Sequence, residues 1–109
     1  MEHTLTALPD SQLFHLGRVA GEVPRPGYAW IVAAVEWEQR RRNGDDPGSF
    51  PAHGIKASNL GDAIGNLWAF AARIRANPDG ANLWPIVAVL DAAVAELTAE
   101  MERCRDRLR

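Results

Sequence analysis

The residue types that most often carry chemistry are few in this chain and poorly spaced for it. The three histidines are His3, His15 and His53. A metal centre inside a helical bundle is built from inward-facing carboxylates and Glu-x-x-His pairs, which place two ligands on one helical face. No histidine here has a Glu three positions before it, and no two stand at helical spacing. A di-metal centre is therefore not expected, nor is any other metal site or cofactor, and no residue is assigned a catalytic role. The one cysteine, Cys104, excludes an internal disulfide and a cysteine-rich zinc site. It falls on an apolar stripe, where a thiol behaves as a small hydrophobe.

The carboxylates offer one further pattern. Glu36 is followed three positions on by Gln39, and Asp62 is preceded three positions back by Asn59. The segment from Leu60-Gly61-Asp62-Ala63-Ile64 through Ala71-Ala72-Arg73 resembles the third helix of the MazG-like nucleotide pyrophosphohydrolases, over fewer than twenty residues. The resemblance implies an all-α fold in the order helix, helix, long loop, helix, helix. It also implies a magnesium site drawn from a Glu-x-x-Glu and a later Glu-x-x-Asp, in which Glu36 and Asp62 match while Gln39 and Asn59 replace the other two acids. Mg²⁺ prefers carboxylates and water, so two amides in place of two anions weaken such a site. An active pyrophosphohydrolase is not expected.

Among the twelve cationic residues only Lys56 is a lysine. Arginine suits bidentate contact with phosphate, and Arg40, Arg41 and Arg42, with Lys56 and Arg25 nearby, form a candidate phosphate or nucleic-acid contact. Against it stand Asp45 and Asp46, which follow at once, and a net charge of -2 with a pI near 5.9. Arginines in a last helical turn also answer the helix dipole without any ligand. Nucleic acid is a possible partner that is not favoured.

These residues must be positioned by helices. The 109-residue chain is 47% hydrophobic and 24% charged, the balance of one globular domain. No strand-like alternation appears, and the spacing predicts an all-α bundle of about four helices. The first spans about 7–21, with Pro9 in its first turn and Leu13, Leu16 and Ala20 on one face. The second spans about 27–43 and is apolar on two sides, one carrying Tyr28, Ile31, Val32 and Val35, the other Trp30, Ala33, Ala34 and Trp37. Residues 44–57 form a Gly- and Pro-rich loop, longer than the usual connection of about 4–6 residues, which Phe50 and Ile55 are placed to pin. The third helix, about 58–77, carries a core stripe of Leu60, Ile64, Leu67, Ala71 and Ile74, with Trp68 expected in the core beside it.

The fourth helix, about 83–108, has Leu83, Val87, Leu90, Val94, Leu97, Met101, Cys104 and Leu108 at alternating spacings of 4 and 3, a heptad seam. Such a helix is ~39 Å long, whereas a spherical domain of this size is only ~34 Å across. Its end is therefore expected to overhang the core. Four tryptophans in so short a chain add to this, because aromatic residues are enriched at interface cores. Trp30, Trp37, Trp84, Met101, Cys104 and Leu108 are the expected interface. The sequence thus points to a non-enzymatic helical interaction module with a protein partner, as a homodimer or as a small subunit of a larger assembly. The alternative is a phosphate- or nucleotide-facing protein, either a relative of the MazG-like pyrophosphohydrolases with an impaired metal site or a small subunit contacting nucleic acid through Arg40, Arg41 and Arg42. Met1 to Leu8 lacks the features of a signal peptide and no apolar run approaches ~20 residues, so membrane association is not expected and a cytoplasmic location is.

Overall fold

The computed structural model describes residues 1–78 and 80–107. Among these the chain is all-α, with no strand. Five α-helices follow in order: α1 Glu2–Thr6, α2 Asp10–Gly21, α3 Tyr28–Arg42, α4 Leu60–Ala76 and α5 Trp84–Arg107. Short 3₁₀ turns, Ala57–Asn59 and Gly80–Leu83, lead into α4 and α5. The predicted helices at about 27–43, 58–77 and 83–108 correspond to α3, α4 and α5, while Leu108 lies outside the described residues.

The predicted first helix differs. Proline has no N–H to give and disfavours the helical region in the residue before it. The chain accordingly breaks at Pro9, which takes an extended conformation (φ -60°, ψ 152°) and caps α2. Residues 2–6 wind into a separate short helix instead. It buries Leu5, which with Met1 and Leu8 joins the core, and α1 packs against both α3 and α5.

Two helical pairs make up the body, α2 against α3 and α4 against α5. The first pair is close because Gly17 faces Val35: a Cβ on Gly17 would lie 2.8 Å from Val35 Cγ1. The pairs meet at Gly27, where φ is +95° and a Cβ would crowd the Ala63 carbonyl at 3.3 Å and Leu67 at 3.2 Å. Only glycine suits both demands. Tyr28 follows and stacks on Phe70 of α4, with centroids 5.8 Å apart. Leu13, Leu16, Ile31, Leu60, Leu67, Ile86, Leu90 and Leu97 fill the interior between the pairs.

The overhang argument fails on shape. The molecule measures 44 × 38 × 23 Å, a slab rather than a sphere. The 24 residues of α5 make a helix of about 36 Å, shorter than the long axis. Met101 and Cys104 are partly buried against the core of their own chain.

Candidate interaction surface

Helix α4 is amphipathic in an unusual sense: its outer face is nearly bare. Leu60, Ala63, Leu67, Phe70, Ala71 and Ile74 turn inward. Outward stand Gly61, Gly65, Trp68 and Ala72, at spacings of 4, 3 and 4. A Cβ added at Gly61 or Gly65 would meet nothing within 4 Å. On that low surface Trp68 is 60% exposed, which corrects its expected place in the core. Its helical phase is the reason: it lies on the line of Gly61, Gly65 and Ala72, one position off the Leu67–Ala71–Ile74 stripe. That phase was present in the sequence as a signal.

Helix α5 continues this surface. Trp84 is 63% exposed, with Ala88 and Asp91 exposed on the same side. Arg75 of α4 donates to Asp91 of α5, and Arg75, Trp84, Val87, Ala88 and Asp91 line a groove of about 410 Å³. On α4, Asp62 and Arg73 are both exposed. Neither has an ion-pair partner among the described residues; the Arg73 guanidinium carbon lies 5.9 Å from the centroid of the Phe70 ring. Of the predicted interface, Trp84 stands on this open face.

Trp30 and Trp37 do not. The 44–56 loop lies along their side of α3 as a strap. Trp30 is buried at 4% exposure. Its Nε1 donates to the Pro51 carbonyl at 3.0 Å, and Trp37 Nε1 donates to the Gly48 carbonyl, also at 3.0 Å. His53 meets Trp30 edge-on at 5.8 Å and Phe50 meets Trp37 edge-on at 5.1 Å. Phe50 and Ile55 pack against the core, as their apolar character predicts. The Trp-bearing side of α3 is therefore covered from within the chain. Met101 and Cys104 are removed from the open surface by the same criterion, being partly covered in the monomer.

The arginine run is divided by its partners. Glu38 is fully buried and accepts from Arg41, through Nε and through Nη2 at 3.3 Å. This contact raises the Arg41 pKa, an effect opposed by desolvation. Arg42 lies 3.7 Å from Glu38 and reaches across to Asp10 at 2.5 Å and to the carbonyls of Leu8 at 2.6 Å and Thr6 at 3.3 Å. Arg42 therefore fastens the α1–α2 elbow to α3. Arg40 and Lys56 are exposed. At the end of α5 the Glu100 pKa is lowered first by its hydrogen bond with Arg103, against desolvation, and further by the charges of Arg103, Arg107 and His53.

Glu36 and Gln39 line an α2–α3 groove of about 310 Å³ with Phe14, Gly17, Arg18, Val32 and Val35. Asn59 and Asp62 stand at the start of α4, which packs on α5. No three His, Cys, Asp or Glu side chains among the described residues are grouped to hold a metal ion. Phe14, at 65% exposure, was not singled out from sequence; its lone place beside the Leu13–Leu16 stripe carries little signal. No helix among the described residues is long and apolar enough to cross a membrane. No family model matches the chain, and neither a curated protein nor a solved structure is detectably similar to it.

Proposed function

We propose that the protein is a non-enzymatic helical interaction module whose working surface is the outer face of α4 and α5. The observation that carries this reading is the exposure of Trp68 and Trp84, 60% and 63%, beside a strip of glycine and alanine flanked by a cross-helix ion pair and by Asp62 and Arg73. Large aromatic side chains left in water are costly in apolar hydration, at about 25 cal/mol per Å². Set on a low surface, they supply rigid anchors of the kind that dominate binding energy at interface centres. A cytoplasmic location goes with this proposal.

A photo-reactive amino acid placed at position 68 or 88, in cells of the native host, tests the surface. The expected result is a discrete cross-linked adduct from both positions and none from position 29, which is exposed on α3. Equal labelling at position 29, or no adduct from α4 and α5, would overturn the reading.

A further inference from the structure

Resting on the surface just proposed, we infer that its occupant is a second copy of this chain, docked antiparallel along α4 with Trp68 beside the two-fold axis. The argument is one of self-complementarity. A two-fold interface requires that whatever residue i meets at j, residue j meets at i. Asp62 and Arg73 are eleven positions apart, three turns of helix, so they lie within about 20° of the same side and about 17 Å apart along the axis. Both are exposed, and neither has an ion-pair partner among the described residues. A second α4 running the other way brings Arg73 opposite Asp62 twice. The dyad then falls midway between 62 and 73, level with Trp68, which lies about 120–140° round the helix from the two charges, so the charged pairs and the Trp68 pair flank opposite edges of the strip of small residues.

The small residues fit the same register. Gly61 on one copy comes level with position 74 of the other, between Ala72 and Ala76, and Gly65 level with position 70, between Trp68 and Ala72, so that small residues line the strip along which the two helices approach. The Arg75–Asp91 pair within each chain sits on the α5 side of this line and is left intact. Magnitude also bears on the outcome. Helix α4 has 17 residues, about 26 Å, and with α5 alongside offers a footprint on the order of 500 Å². Specific interfaces begin at about 600 Å² per partner. The dimer is accordingly weak, forming at micromolar concentrations and dissociating on dilution.

Sedimentation equilibrium of the whole chain over a concentration series, with charge-reversal variants, tests this. The wild type is expected to show a reversible monomer–dimer equilibrium. Asp62→Arg or Arg73→Asp alone should weaken it about tenfold, since each places like charges opposite one another at two symmetric points. The double variant should recover most of the lost affinity. Circular dichroism checks that helicity is unchanged; should a reversal unfold the chain, Asp62→Asn and Arg73→Gln probe the same contact with a smaller loss. A strictly monomeric wild type would overturn self-association. Adducts at position 68 that are heavier than the chain but not twice its mass would then leave the interaction surface standing with another protein. A dimer indifferent to the single reversals, or not rescued by the pair, would overturn the register.

Discussion

Helices α3 and α4 each carry tryptophan, yet the tryptophan-bearing side is closed on one and open on the other. On α3 the closure comes from the 44–56 strap, and the deciding groups are backbone carbonyls. Pro51 and Gly48 accept the two indole N–H groups, so burial of Trp30 leaves no donor unsatisfied. Among the described residues no segment crosses Trp68 on α4, and neither it nor Trp84 has a hydrogen-bond partner there. A tryptophan is thus buried here where irregular backbone supplies an acceptor above it. Apolar character alone does not decide the matter.

The largest expected effect breaks the comparison directly. Trp30→Ala should cost about 3–5 kcal/mol of folding stability through the cavity it leaves, a large part of what a small domain possesses. Trp68→Ala, measured at low protein concentration, should change stability by about 0.5 kcal/mol or less. Urea denaturation of the two variants gives both values. Equal losses would mean that the α4 face is covered after all.

Two glycines sharpen the contrast at smaller scale. Val35 stands 2.8 Å from where a Gly17 Cβ would be, and a β-branched side chain in a helix has little rotamer freedom to retreat. Gly17→Ala should therefore destabilise the fold by about 1 kcal/mol net, overpacking outweighing the gain in helix propensity. Gly65→Ala has open space before it and should stabilise the monomer by about 0.5–1 kcal/mol. Thermal melts at matched low concentration separate the signs.

The smallest effect concerns the end of α5. Glu100 has a lowered pKa because Arg103 hydrogen-bonds its carboxylate. A group whose folded pKa is depressed contributes stability above its unfolded pKa and loses it as pH falls through the folded value. The melting temperature of Arg103→Gln should therefore lie slightly below that of the wild type near neutral pH. The difference should vanish once the pH drops below the carboxylate range. A gap that persisted in acid would assign Arg103 a packing role instead.

Much of the fold was legible from spacing. The stripes Leu60–Leu67–Ala71–Ile74 and Val87–Leu90–Leu97 repeat over several turns, and a period of 3.6 sustained that long has no competing explanation. Helix α1 was not legible, because five residues are less than two turns and carry no measurable period. Trp68 was misplaced because a residue one position off a stripe is read as its flank, when its phase matched the glycines. The open face of α4 is half legible: Gly61, Gly65, Ala72 and Ala76 share one side of the helix in the sequence, but only the packing shows that no helix among the described residues covers it.

The sequence by itself determined the helical periods of α3, α4 and α5, since these depend on residues a few positions apart. Tertiary structure decided which apolar faces are covered. That depends on where a loop of fourteen or so residues comes to rest, and its resting place is set by carbonyl–indole hydrogen bonds between positions 11 and 21 residues apart. It also depends on overall shape. A sphere of this mass would have left the end of α5 bare, but packing two helical pairs side by side produced a slab 44 Å long, and the seam at Met101 and Cys104 found partial cover within its own chain.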